Sequence, residues 1–410
     1  MGARTAKLSI ASVFFTFFID NLCWSIVFPI FAPYFLDPNN VLFSSDVGEA
    51  FRNKILGLFL MAFSLGQFFG GPFLGEYADR NGRKRALAVG IFFTLAGLAI
   101  TAWSMKTHVL WLLFAGRVIT GFFASNLSIC LACISDLSPN EKAKVRNFGY
   151  LSVLGGLSFI LGAFIGGKLS DASLYSIFTP DFPLWVAAAL TGFNFLFVCF
   201  CFREEETKDP FVEFDLWESF RNIKYALRTE KIKRIYGVYF LFLFAWTILF
   251  QFTPVLVVQR FAFTSADIGN LALLMGVCWA FGSSYLSKLF LHRFSSLHIL
   301  EWCLFIFTAL CGLMALPNHL YPILLIVGFC VVVGGIAWPL CTGVISNMAP
   351  KKFQGKIMGM SQSIQSLAMT IAPVVGGMAS HGAIKLPFVI AAFSGIFAMV
   401  VYFSFKRQVR

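Results

Sequence analysis

Apolar stretches about 20 residues long recur from one end of this 410-residue chain to the other, and no other feature constrains its fold as tightly. A stretch of 18 or more apolar residues, coiled as an α-helix, matches the hydrocarbon thickness of a bilayer. Twelve such blocks can be marked, near residues 8–36, 55–75, 86–105, 109–135, 148–168, 183–202, 236–258, 268–290, 299–316, 321–345, 358–379 and 387–405. They do not alternate with period two, which excludes an outer-membrane β-barrel. Only 13% of the residues are charged and 58% are hydrophobic, with a mean hydropathy of +0.78. Soluble domains carry about 25% charged residues. The polar material cannot wrap a water-soluble core of this size, so a cytosolic enzyme, a disordered scaffold and a secreted disulfide module are all excluded. The expected fold class is an all-α integral membrane protein with twelve transmembrane helices.

The net charge of +12 raises the question of a nucleic-acid partner, and the placement of the charges answers it. Of the 32 Lys and Arg, 25 fall on the side of the chain termini, 6 on the opposite side, and Arg117 lies inside a span. An even number of spans puts both termini on one side, and the positive-inside rule makes that side cytoplasmic. The basic residues are dispersed over seven short segments rather than gathered in a stripe, so no nucleic acid is expected. The first apolar run is about twice the length of a signal-peptide core and contains Asp20, so it reads as a span. All ten cysteines fall within spans, where Cys130 and Cys133 read as small apolar residues rather than a redox pair. The five histidines lack metal-ligand spacing, and no nucleophile–base pair appears, so neither a metal nor an enzyme activity is expected. Asn126-Leu-Ser128 is formally a glycosylation sequon, silent inside a span.

The longest polar stretch, Arg203 to Ile235, separates spans six and seven. It divides the chain into a six-helix bundle over 1–202, a cytoplasmic linker over 203–235 with a helical segment from Trp217 to Lys233, and a second bundle over 236–410. The linker cannot hold a nucleotide-binding domain, and no G-x-x-x-x-G-K-[ST] occurs, so ATP is not the energy source. The halves repeat each other. Gly149, Gly162, Gly166 and Gly167 of span five, shifted by 210, become Gly359, Ala372, Gly376 and Gly377 of span eleven. A repeat in one orientation implies two pseudo-symmetric bundles related by an axis along the membrane normal, with a substrate site near the midplane between them.

The loop after span two reads Gly75-Glu-Tyr-Ala-Asp79-Arg80-Asn-Gly82-Arg83-Lys84-Arg85. Gly75 suits close helix approach, Gly82 a tight turn, and Asp79 a nearby cation or a helix N-terminus. This string resembles the signature loop of the major facilitator superfamily. Leu113-x-x-x-Arg117-x-x-x-Gly121 is similar to that superfamily's fourth-helix motif, with Thr120 where glutamine is common. The stretch from Asp136 to Gly167, with Arg146-x-x-Gly149, resembles the drug:proton antiporter branch that includes the tetracycline/proton antiporters, as does Asp20 with Pro29 nine residues later. The resemblance implies a rocker-switch secondary transporter of the bacterial inner membrane. It implies that Arg83 pairs with Asp136, and that Asp79 faces the start of span eleven. With Gly75, Arg80 and Gly82, these residues would form a latch for the outward-open state. The span-five motif departs from the branch at Ser158 and Ala163, where glycine and proline are expected; the second half carries the proline as Pro373.

Depth places two charges together independently of any resemblance. Asp20 lies about 18 Å from the cytoplasmic edge and Arg117 about 12 Å from the outer edge of a roughly 30 Å core, so they share a level. Each alone costs on the order of 2.5–3.5 kcal/mol there, so pairing or a wet cavity is expected. The expectation is that Asp20 takes up and releases the coupling proton while Arg117 pairs with it and tunes its affinity; a static structural pair is the alternative. Cavity candidates are Asn21, Gln67, Asn126, Gln251, Trp279, Trp338, Gln362 and Gln365, each of which could equally serve an interhelical hydrogen bond. Gly149, Gly162, Gly166, Gly167, Pro373, Gly376 and Gly377 are assigned to helix packing. Glu301 is read as reaching the headgroups. The 51 phenylalanines are read as lipid-facing filler and interfacial belts. The function expected is proton-coupled export of a small organic solute, with no cofactor beyond the proton gradient and a monomer as the working unit. The alternative is uptake of a nutrient, siderophore or other metabolite by symport or facilitation.

Overall fold

Backbone amides in hydrocarbon have no water to pair with, so each apolar block closes its own hydrogen bonds as a helix. A computed structural model describes residues 3–44, 46–124, 126–138, 140–203, 217–228, 230–348 and 354–409. In the first half the helices are α1 (Ala3–Ile26), α2 (Phe31–Leu36), α3 (Glu49–Asn81), α4 (Arg83–Thr107), α5 (Leu110–Phe123), α6 (Asn126–Leu137), α7 (Glu141–Leu169) and α8 (Phe182–Cys201). A short helix α9 (Glu218–Arg228) follows. The second half holds α10 (Glu230–Phe261), α11 (Ser265–Ala280), α12 (Ser287–Leu291), α13 (Ser296–Leu313), α14 (Leu320–Asn347), α15 (Gln354–Ala379) and α16 (Leu386–Val409).

These helices make twelve spans in two six-helix bundles. Eleven spans among the described residues are long and apolar enough to cross a membrane. The remaining one, α15, is diluted by Ser361, Gln362, Ser363, Gln365 and Ser366. Three spans are not the continuous helices that hydropathy suggests. The first breaks between α1 and α2 over Val27–Ile30, where Pro29 has no amide hydrogen to give. The fourth breaks between α5 and α6 at Ala124. The eighth passes through a π turn at Phe281–Leu286, immediately after Trp279. Such breaks and π turns widen the helix and cluster at functional sites.

The 210-residue repeat reappears as equivalent seams. A Cβ added to Gly167 would fall 2.5 Å from Ser265 O on α11, and one added to Gly377 would fall 2.7 Å from Asn53 O on α3. Each glycine thus lets the fifth helix of one half meet the second helix of the other half backbone to backbone. Gly57 meets Pro373 O in the same seam, at 2.4 Å from its added Cβ. Gly162 and Gly166 instead press α7 onto Leu22, Ser25 and Ile26 of α1, while Gly376 seats the ring of Phe252 on α10. Gly149 is a correction: nothing lies within 4 Å of its added Cβ, and the same holds for Gly359. Both sit toward the face carrying the chain termini. The glycine seams between the halves lie near the opposite, distal face.

Gln259 Nε2 donates to Asn53 Oδ1 (3.2 Å) across the distal seam. The Asp171 carboxylate, just past α7, accepts from the Ser173 amide (3.0 Å) and hydroxyl (2.6 Å). On the terminal face α9 clasps both halves. Ser219 donates to Phe68 O (2.7 Å) on α3 and accepts from Ser363 on α15 (3.4 Å), and Phe220 packs on Phe68. The part of the linker over 204–216 lies outside the described residues. Glu301 does not reach outward alone; it pairs with Lys406 on α16, within reach across the helix ends.

Candidate functional site

Between the bundles lies a cavity of about 460 Å³, within the size range of small-molecule sites. Asp20 and Arg117 both line it and are its only charged lining residues among those described. They arrive from opposite directions. Asp20 comes from α1 six residues before that helix ends, and Arg117 from α5 six residues before its own end.

The expected ion pair is corrected: no ion pair joins Asp20 and Arg117 in this conformation. The guanidinium lies 4.6 Å from the centre of the Phe63 ring, 5.1 Å from Phe31 and 5.7 Å from Phe59. It is buried, and its Nε has no hydrogen-bond partner. A cation desolvated against three ring faces gains about 2 kcal/mol or more from the ring quadrupoles, which is how this charge is tolerated without an acid beside it. Asp20 has Asn126 as its polar neighbour. The Asn126 amide is fully buried, and neither of its side-chain atoms meets hydrogen-bond geometry. It stands behind Asp20, with its Oδ1 against Gly90, and so backs the cavity rather than lining it.

The remaining sequence candidates divide. Asn21, Gln67, Gln251, Trp279, Trp338 and Gln365 line the cavity, whereas Gln362 is exposed outside it, one helical turn nearer the terminal face than Gln365. Asn21 Nδ2 is also tied to Phe17 O (2.8 Å), and Gln365 Oε1 accepts from Tyr239 (3.2 Å). Sequence reasoning missed Thr94, Thr120, Trp246 and Thr247, which also line it. Trp246 had a readable signal, since tryptophans are few and Trp246 stands one turn from Phe250, the neighbour of Gln251, on α10. The distal end is plugged by rings from both halves. Phe28 meets Phe250 at 4.7 Å between centres, and Phe159 meets Phe250 at 5.9 Å. Part of the phenylalanine content is therefore gate and cage rather than lipid-facing filler.

The signature loop lies on the terminal face. Gly82 ends α3 at φ 92°, a left-handed turn that favours glycine. Asp79 and Arg80 are exposed, and Arg83 opens α4. Gly75 is a correction, because nothing lies within 4 Å of its added Cβ and no close helix contact needs it here. The side chain of Asp136 lies outside the described residues.

A membrane-embedded pair of six-helix bundles, enclosing a solute-sized cavity and sealed by backbone seams at one face, defines an alternating-access carrier. The chain belongs to the Major Facilitator Superfamily, whose family profile matches residues 13–333 and 292–410. It is 26% identical over 332 residues to the class C tetracycline resistance protein of Escherichia coli, covering 78% of each chain. It is 25% identical over 406 residues to the quinolone resistance protein NorA of Staphylococcus aureus, covering 97% of this chain and 96% of that one. Among solved structures, a human organic anion transporter superposes with a TM-score of 0.70 at 20% identity, over 98% of this chain and 100% of that one. A D-xylose–proton symporter superposes at 0.75 with 15% identity, over 98% of both. These two likenesses show the fold.

Proposed function

We propose that this transporter exports a small amphipathic organic compound from the cytoplasm in exchange for protons, as a monomer in the inner membrane with both termini cytoplasmic. The observation that carries the reading is Asp20, the cavity's single carboxylate among the described residues, while the Arg117 guanidinium in the same cavity rests on three phenylalanine rings. The relatedness to tetracycline and quinolone resistance proteins supports export over uptake. In this reading the structure is the inward-facing state, with the distal seam closed and the cytoplasmic ends apart. Asp20 receives a proton when the cavity faces outward and releases it when the cavity faces the cytoplasm. Release leaves a carboxylate free to draw Arg117 off its phenylalanine rings, which biases the bundles toward the next half-cycle. Asp79, Arg83 and Asp136 then close the cytoplasmic latch.

The test is transport in proteoliposomes with an imposed pH gradient, paired with drug tolerance in cells that overproduce the protein. Export predicts raised tolerance and drug-dependent proton movement that Asp20→Asn removes. Undiminished gradient-driven accumulation in that variant ends the proton role. Slower growth on one nutrient after deletion, with unchanged drug tolerance, decides for uptake.

A further inference from the structure

Away from the central cavity, a groove of about 540 Å³ opens between α10 and α16 on the outside of the second half. It is lined by Arg234, Val400, Phe403, Ser404, Arg407 and Gln408. Positions 400, 403, 404, 407 and 408 follow the three- and four-residue spacing of a single helix face. Deeper on the same face of α16 stand Phe393, Ile396 and Phe397, all exposed. The stripe is therefore apolar as far as Phe403 and turns polar at Ser404. That change falls at the membrane edge, since the apolar spans run Ile232–Phe261 and Leu386–Gln408. Arg234 and Arg407 stand at headgroup depth, within two residues of the ends of their spans.

Two guanidiniums lining one groove repel each other unless a negative group lies between them. No described carboxylate does so, and Glu301 of α13 is already paired with Lys406. Arg234 Nη1 donates to Ser404 O (2.8 Å), which occupies one of its five N–H donors. Arg407 is exposed and has no protein acceptor among the described residues. One turn deeper than Arg234, α10 carries Gly237, whose added Cβ would meet only Val401, at 3.5 Å. The groove thus runs on from the arginines toward the hydrocarbon without a side chain at that position to block it.

We propose that this groove is a binding site for an anionic phospholipid, with the phosphate bridging Arg234 and Arg407 and an acyl chain lying along Phe403, Val400 and Phe397. Guanidiniums pair with phosphate oxygens in bidentate fashion, and basic pockets between spans at headgroup depth hold acidic lipid heads. A free phosphate ion uses the arginines but leaves the apolar half of the groove empty, which favours a ligand with a tail. A zwitterionic lipid brings its own cation and gains less from the paired arginines. The bound lipid fastens the ends of α10 and α16, which further down are joined by Ser394 donating to Leu241 O (2.9 Å). Neither the direction nor the coupling of transport enters this inference.

The experiment titrates delipidated full-length protein in neutral detergent with phosphatidylglycerol, phosphatidylcholine or inorganic phosphate, following the thermal midpoint, which rises with ligand bound to the folded state. Phosphatidylglycerol should raise it saturably, and the other two should not. The Arg234→Gln, Arg407→Gln double variant should weaken phosphatidylglycerol about tenfold or more, and Arg407→Gln alone, which removes no protein hydrogen bond, about threefold or more. The double Arg→Lys variant keeps the charge and should recover most of the loss. Arg293→Gln, an exposed arginine between α12 and α13 on the same face, should leave the affinity within about twofold. Phe403→Ser should weaken the lipid about threefold or more. A shift of equal size with phosphatidylcholine, saturation by inorganic phosphate, or an affinity untouched by both Arg→Gln variants would each overturn the proposal. So would an equal loss in Arg293→Gln, since diffuse surface charge would then account for the binding.

Discussion

The two walls of the cavity come from repeats of one ancestral half, yet they solve different physical problems. The first half supplies a carboxylate and a guanidinium from helices that break a few residues later, so its wall carries the charge. The second half supplies three tryptophans and no ionisable group, so its wall is uncharged and aromatic. A wall that must gain and lose a proton needs a titratable group, whereas the wall facing it needs none. Where the repeat is kept, as in the paired seams of Gly167 and Gly377, the demand on both halves is the same: close a face by backbone contact.

The sharpest break in that division is Asp20→Asn. Gradient-driven accumulation should fall at least about tenfold, to the level of vesicles without the protein, while binding of the drug itself stays within about twofold. Flux assays on pH-jumped proteoliposomes beside fluorescence titration measure both. The seams come next. Gly167→Val and Gly377→Val both push backbones apart at repeat-equivalent positions, at a cost of about 1–3 kcal/mol each. Both should shift the protein toward distal opening, read as faster labelling of a Phe28→Cys reporter by an impermeant maleimide with the native cysteines replaced. A response in one seam only would mean that the repeat no longer acts symmetrically.

Arg117 yields a smaller and more diagnostic effect. It is a buried cation held by rings alone, so Arg117→Met, which fills the same volume without charge, should leave the thermal midpoint no lower than wild type while transport drops several-fold. A large loss of stability would instead show that its aromatic contacts outweigh its desolvation. The smallest effect is expected at Asp171 on the distal edge. Burial alone would push this carboxyl up, but the Ser173 hydroxyl and amide donate to it and, with the polar groups of Thr264 and Ala266 at the start of α11 nearby, hold it below the usual carboxylate range. A carboxyl lowered in the folded state adds stability above its ordinary value, near pH 4, and loses that contribution as pH falls through its lowered value. Asp171→Asn should therefore cost about 1 kcal/mol at pH 7, with the difference from wild type shrinking below about pH 4, as thermal melts across that range would show.

Much of the fold was legible before any coordinates. Twelve spans, the division into halves and the seam glycines are properties of hydropathy and repeat spacing, both carried along the chain. Asp20 and Arg117 were placed at one depth because helical rise converts residue number into distance. Depth says nothing about azimuth, and that is where the reading failed. Arg117 turns onto Phe31, Phe59 and Phe63 because three rings from α2 and α3 reach it. Asn126 lies off the cavity because its amide packs against Gly90, and Gln362 because it stands exposed one turn nearer the terminal face than Gln365. Gly75 and Gly149 make no close contact because the side each turns outward meets no neighbouring element.

What a membrane chain encodes locally is which segments enter lipid and which residues are small enough to touch, since those follow from transfer free energy and side-chain size one residue at a time. Which polar groups meet around a solute depends on the rotation of each helix against neighbours up to hundreds of residues away. The three tryptophans of the second wall, at positions 246, 279 and 338, meet only once three helices have packed.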